Sequence, residues 1–196
     1  MGVEYELKFR ANPAVLERIR RDVDAPQEQI AMETTYYDTP AQALTQRHCT
    51  LRCRRENGKP VCTLKTPGQA IGRQEWEVAE ASLENALPVL CKLSGMPELE
   101  ELLQAGVVPV CGARFTRIAK KVVYNQAVLE LALDSGVLLG GGKELPFWEV
   151  EVELKEGSLQ AAQAYSDSLS ARYGLEAEHT SKFRRAFALI EGDKNG

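Results

Sequence analysis

Val3-Glu4-Tyr5-Glu6-Leu7-Lys8-Phe9-Arg10 alternates without a break, apolar at Val3, Tyr5, Leu7 and Phe9 and charged at the four positions between. A period of two is that of a β-strand, whose successive side chains point to opposite faces, so the segment reads as a strand with one apolar and one charged face. The pattern returns far down the chain, where Glu149, Glu151 and Glu153 interleave with Trp148, Val150, Val152 and Leu154. Between these two stretches, Thr50 to Arg55, Val61 to Thr66, Gly72 to Ala79 and Val128 to Asp134 are two-faced in the same manner. Thr34 to Asp38 and Arg114 to Asn125 add further strand-like runs.

A one-sided antiparallel sheet that shows its polar face to water explains any one of these strands. It does not explain the set. The polar positions are mostly Glu, Asp, Arg and Lys, and they are sorted by sign: acidic over Glu149 to Glu153, basic at Arg52 and Arg54, mixed over Glu4 to Lys8. Like charges at i and i+2 stand roughly 6–7 Å apart on one strand face and repel. Sorted rows make sense when each sign has its own partner, divalent cations for the carboxylates and phosphates for the basic groups. Leaving such charges dry and unpaired costs several kcal/mol per ion, so the charged side is expected to be wet. The apolar faces must then be covered by helices. These residues predict a barrel with a charged interior.

Helices and turns fill the gaps. Asn12-Pro13 reads as an N-cap with proline at the first helical position, continued by Leu16, Ile19 and Val23. Ser82 to Leu103 reads as a helix interrupted near Gly95 and Pro97, Ser158 to Tyr173 as one stopped by Gly174, and Thr180 to Ile190 as the last. Asn57-Gly58 is a hairpin signal. Ser135-Gly136 and Gly140-Gly141-Gly142 read as turns, and the glycine run lacks the spacing of a phosphate loop. No repeat or long linker divides the chain, which reads as a single domain over 1–196.

Composition narrows the function classes. The 196 residues carry a formal net charge of -4, which argues against nucleic-acid and membrane surfaces, since phosphate backbones recruit basic proteins. No apolar run approaches the ~20 residues of a membrane span, and the acidic N-terminus lacks a signal-peptide pattern. Five cysteines without Cys-x-x-Cys spacing read as reduced, packed thiols in a cytoplasmic protein. Only two histidines occur, His48 and His179, outside every charged row, which disfavours zinc. The carboxylates are hard oxygen donors of the kind magnesium and manganese prefer. Arg52, Arg54, Lys65, Arg73 and Arg117 suit phosphate oxygens. No serine, cysteine or histidine sits in a nucleophile elbow.

Glu4-Tyr5-Glu6-Leu7-Lys8 is similar to the Glu-x-Glu-x-Lys signature of the CYTH, or triphosphate tunnel metalloenzyme, superfamily. Tyr36-Tyr37-Asp38-Thr39-Pro40, Leu51-Arg52-Cys53-Arg54, Thr63-Leu64-Lys65, Arg73-Gln74-Glu75 and Phe115-Thr116-Arg117 follow in the family's order. Glu130 to Asp134, Glu149 to Glu153 and Ser181-Lys182 complete it, so the resemblance runs from Glu4 to about Ala188. It is nearest to the bacterial inorganic triphosphatases. The resemblance implies an α+β fold, a closed antiparallel eight-stranded β-barrel or tunnel flanked by helices, with the helix at about 180–190 as a lid or plug. It implies that Glu4, Glu6, Asp134, Glu149, Glu151 and Glu153 hold Mg2+ or Mn2+, with Glu130 as a helper. Lys8, Arg52, Arg54, Lys65, Arg73, Arg117 and Lys182 would hold phosphates, and Glu4, Glu6 and Lys8 would sit at the chemistry.

The implied reaction is metal-dependent hydrolysis of a triphosphate, foremost inorganic triphosphate. A class IV adenylate cyclase and a thiamine triphosphatase are the enzymatic alternatives. A polyphosphate- or nucleotide-binding module without turnover is the alternative of another kind. Homodimerisation through an exposed helix is compatible with the sequence.

Overall fold

A computed structural model describes residues 2–67, 73–96, 99–100 and 104–191, with the side chains of residues 2–4, 73 and 191 outside that description. Its described strands are β1 (Gly2–Glu4), β2 (Glu6–Arg10), β3 (Gln27–Asp38), β4 (Thr50–Glu56), β5 (Lys59–Pro67), β6 (Arg73–Val78), β7 (Val108–Tyr124), β8 (Ala127–Gly140), β9 (Lys143–Glu156) and β10 (Glu176–Ala177). The helices bounded within the described residues are α1 (Pro13–Asp22), α2 (Ala43–Gln46), α3 (Leu83–Ser94), α4 (Leu159–Tyr173) and α5 (Lys182–Glu191).

All ten described strands form one antiparallel sheet in the order β1-β6-β5-β4-β3-β7-β8-β9-β2-β10. The sheet is open. Its ladder ends at β1 and β10, and among the described residues no hydrogen-bonded pairing joins them, which corrects the closed eight-stranded barrel expected from the sequence. Alternation fixes which side chains share a face, but it carries no information on whether edge strands meet. The first strand is in fact two. It breaks at Tyr5, so that β1 pairs with β6 while β2 pairs with β9. One residue therefore links the two flanks of the sheet covalently, and the sheet must curl about its charged face to allow it.

Local chemistry sets the boundaries. The Asn12 side chain accepts a hydrogen bond from the Val15 amide at 3.0 Å and Pro13 opens α1. Ser158 caps α4 in the same way, and Gly174, at φ 66°, ends it. Helix α3 stops at Ser94 because Gly95 takes a left-handed conformation, which is the interruption expected near Gly95; helical residues recur at 99–100, while 97–98, including Pro97, and 101–103 lie outside the described set. Ser135-Gly136 is not a turn. Strand β8 runs through it, and a Cβ on Gly136 would lie 2.2 Å from the Arg114 carbonyl oxygen, so this glycine serves a close backbone approach.

Three apolar clusters hold the fold. Helices α1 and α4 bury Ile19, Ala162 and Leu169 against Leu129, Leu131, Val150 and Val152 on the outer face of β8 and β9. Helix α3 lays Ala86 and Leu90 on Leu51, Leu64 and Trp76. Helix α5 differs. It packs Phe183, Ala186 and Phe187 against Met32, Tyr36, Phe115 and Phe147 on the inner face, filling one end of the concavity. The sequence reading of reduced thiols is also corrected in part. Cys53 and Cys62 stand opposite one another on β4 and β5, with Cα atoms 4.1 Å apart, and are disulfide-bonded. Cys49, Cys91 and Cys111 are free.

Candidate functional site

Cross-strand register converts the sequence rows into surfaces, because directly opposed residues share a face. Glu6 on β2 stands opposite Glu153 on β9, which stands opposite Glu130 on β8. Two residues along each strand, Lys8 faces Glu151. Two further, Arg10 faces Glu149, Glu149 faces Asp134, and Asp134 faces Arg117 on β7. On the other flank Arg52 faces Thr63 and Thr63 faces Glu77, while Lys65 faces Glu75. The curl sets the acidic strands β2, β8 and β9 across from the basic strands β4 and β5. They enclose a cavity of about 360 Å³, whose described lining includes seven Lys or Arg and seven Glu side chains. The wall is thus close to neutral, and a polyanion entering it needs cations of its own.

The acidic side has two layers. The outer carboxylates Glu6, Glu153 and Glu130 keep side-chain exposures of 21%, 24% and 29%. Their ion pairs include Lys8 with Glu6 at 3.6 Å, Lys155 with Glu153 at 2.7 Å and Arg117 with Glu130 at 3.6 Å. The inner layer is Asp134, Glu149 and Glu151, all buried, with candidate ligand atoms within 4.8 Å of one another. Cations of the protein fill this layer. Lys182 Nζ lies 2.9 Å from Asp134 and 2.6 Å from Glu151, and it also bonds Glu149. Arg117 forks Asp134 through two hydrogen bonds of 2.8 Å and reaches Glu151, while Arg185 holds the second oxygen of Glu149.

The electrostatics follow from that geometry. Burial, together with the neighbouring Glu151, pushes the Glu149 carboxyl up to about 7 against the pull of Lys182 and Arg185. Burial acts upward on Glu151 too, but Lys182 and Arg117 outweigh it and hold this group well below the carboxylate range. For Lys182, burial would lower the pKa, yet Asp134, Glu151 and Glu149 raise it, so the ammonium stays charged. Its Nζ also sits 5.4 Å from the ring centres of Phe115 and Phe147, a cation–π arrangement.

On the basic side, Arg54 donates to the Thr34 hydroxyl at 3.0 Å and lies over the Phe115 ring. Burial and the adjacent Arg52 push its pKa down to about 10. Glu75 lies 3.5 Å from Arg52 and 3.3 Å from Lys65.

The structure brings Glu6, Lys8, Arg52, Arg54, Lys65, Arg117, Glu151, Glu153 and Lys182 to one cavity. Asp134 and Glu149 lie behind its wall, fully buried. Glu4 and Arg73 are backbone partners across β1 and β6, with side chains outside the described set. Sequence reasoning gave no role to Glu75, Lys155 or Arg185. For Arg185 a signal exists, because it follows Lys182 by three residues and so shares its helix face.

With this geometry in hand, comparison with known proteins is informative. The CYTH domain model matches residues 2–187. An inorganic triphosphatase of Haemophilus influenzae is 27% identical over 200 residues, covering 95% of this chain and 54% of that protein. The chain therefore spans about half the length of that relative. Among solved structures, the PH1819 protein of Pyrococcus horikoshii aligns with TM-score 0.66 at 21% identity, over 95% of this chain and 99% of its own. A Hippeastrum protein, HpAC1, described as an adenylyl cyclase candidate with a dominant triphosphatase activity, aligns with TM-score 0.65 at 18% identity, over 96% of each chain. These structural likenesses concern the fold. The family-model match, which covers nearly the whole chain, places it in the CYTH domain family.

Proposed function

We propose that this chain hydrolyses inorganic triphosphate to pyrophosphate and phosphate with the help of Mg2+ or Mn2+. The observation that carries the proposal is the cavity of about 360 Å³ with a cationic wall facing a carboxylate row. A ligand that is phosphate throughout meets partners along its whole length there. The similarity to the Haemophilus triphosphatase, over 95% of this chain, supports the same reading.

The donors are hard oxygens of the kind a divalent ion takes: Glu6, Glu153 and Glu130 stand in register on three adjacent strands, and the ligand atoms of Asp134, Glu149 and Glu151 lie within 4.8 Å of one another. Glu151 stands at the inner edge of that row, and Glu4 extends the same acidic segment in sequence. A bound ion would supply positive charge to the triphosphate oxygens and to the departing pyrophosphate. Lys8, Arg52, Arg54, Lys65 and Arg117 would clamp the remaining phosphate oxygens in line. A water oxygen forms the new bond to the terminal phosphorus as the bridging P–O bond breaks. A carboxylate of the outer row takes the water proton, and the electron pair leaves with pyrophosphate.

Product analysis tests this reading. Inorganic triphosphate, ATP and thiamine triphosphate are incubated separately with the protein and Mg2+ or Mn2+, and the products are resolved by chromatography. The expected result is phosphate and pyrophosphate from inorganic triphosphate, faster than any conversion of the organic substrates. Cyclic AMP with pyrophosphate from ATP, and no cleavage of inorganic triphosphate, would assign the site to cyclisation instead.

A further inference from the structure

Helix α5 reaches the cavity through its first turn, where Ser181, Lys182 and Phe183 form part of the wall. Phe183, Ala186 and Phe187 make its apolar stripe. Apolar contact is non-directional, so the stripe holds the helix on the sheet without fixing its rotation. Directional bonds fix it, and one carboxylate outside the cavity lining gathers them. Glu178 lies in the segment between α4 and α5 and is only 4% exposed. Its amide donates to the Lys8 carbonyl at 2.8 Å, next to the pairing of β10 with β2. One carboxylate oxygen accepts the Thr180 amide at 2.8 Å. The other accepts Arg10 Nε at 2.7 Å and lies 3.7 Å from the Arg185 guanidinium. Burial works against the charge of this group, but Arg10, the Thr180 amide and Arg185 outweigh it and hold its pKa down at about 2.

Arg185 carries the connection inward. It bonds Glu149, and its guanidinium carbon lies 5.6 Å from the Phe147 ring centre. It stands three residues after Lys182, so the two side chains are neighbours on one helix face. Arg10, Glu178, Arg185 and Glu149 thus form a continuous chain of charge pairs from β2, across α5, to β9. Strand β2 also carries Glu6 and Lys8 into the cavity. A single carboxylate therefore ties the strand that bears Lys8 to the helix that bears Lys182.

We infer that Glu178 is a positioning residue: by holding Arg185 it sets the rotation of the first turn of α5, and so the place where Lys182 meets the phosphate chain. The inference rests on the triphosphatase reading above and deepens it. Glu178→Gln keeps the size of the side chain and removes the charge that draws Arg10 and Arg185 together.

Steady-state kinetics with inorganic triphosphate and Mg2+, and calorimetric binding of the same compound, test it in a double-mutant cycle. Glu178→Gln is expected to lower kcat/KM about 10-fold or more, with a rise in KM, inside the ~100-fold that a 1 Å misplacement can cost. A merely structural role would lower the folded fraction, and with it kcat, and leave KM unchanged. Arg185→Gln should give a comparable loss, and the double variant no further loss. Additive losses, an unmoved KM, or full activity in Glu178→Gln overturn the inference while leaving the proposed hydrolysis standing. Should Glu178→Gln fail to fold, Arg10→Gln probes the same carboxylate from a side chain that is 63% exposed. It is expected to raise KM in the same direction, and an unchanged KM there overturns the inference. If the unaltered chain binds triphosphate without cleaving it, the hydrolysis reading alone fails and the same cycle is read on Kd. Neither binding nor cleavage overturns both.

Discussion

Arg117→Met is expected to cost about 3–5 kcal/mol of folding stability, the range for breaking one partner out of a buried ion pair. The guanidinium is 11% exposed and forks Asp134, which is fully buried, while reaching Glu151 and Glu130. Burial alone would lower its pKa, but Asp134 and Glu151 raise it well above the usual value, so it is a committed cation. Methionine fills similar volume without charge and leaves Asp134 to Lys182 alone. Arg117→Lys should recover part of the loss and not all of it, since an ammonium cannot make the two parallel hydrogen bonds of 2.8 Å. Urea unfolding followed by circular dichroism measures the difference. A loss below about 1 kcal/mol, the level of an exposed pair, would mean that the inner network is solvated and does not hold β7 against β8 and β9.

Glu6→Gln and Glu153→Gln are each expected to lower kcat/KM for inorganic triphosphate by at least about 100-fold, with little change in stability. Losing groups that merely support metal ligands already costs about 10–100-fold in affinity or activity, so if Glu6 and Glu153 are the ligands proposed above their loss should cost no less. Glutamine keeps the shape of glutamate, and these side chains are partly exposed at 21% and 24%. Substitutions in such settings usually change stability by about 0.5 kcal/mol or less. Raising the Mn2+ concentration should restore part of the activity. Full activity in both variants at low metal would remove the outer row from the reaction.

The strands and the identity of their charged faces are legible in the sequence because alternation is a local property: Glu6 and Lys8, or Glu149 and Glu151, declare their face within five residues. What joins distant faces is not local. The pairing of Arg117 with Asp134 depends on the register of β7 against β8, and no pattern in either strand states that register. The break at Tyr5 is hidden inside an unbroken alternation, so the sequence does not show that β1 pairs with β6 while β2 pairs with β9. Gly136 misleads for a similar reason. A glycine after a serine signals a turn unless it is known that Phe115 crosses directly opposite it. Lys182, Arg184 and Arg185 read equally well as a solvated helix end. Only the docking of Phe183 and Phe187 buries Lys182 and leaves Arg184 outside. The bond between Cys53 and Cys62 likewise needs the β4–β5 register that makes them opposite neighbours.

A charged cavity on a curled, open sheet is expected to cleave an all-phosphate chain with the help of a divalent ion. Phosphate release from inorganic triphosphate by the purified chain, with Mg2+ or Mn2+ and again after chelation, tests it most directly. The expected result is rapid release with metal, loss of release on chelation and recovery when metal is restored. Release that persists unchanged in excess chelator, or no release under any metal condition from a folded protein, would contradict it.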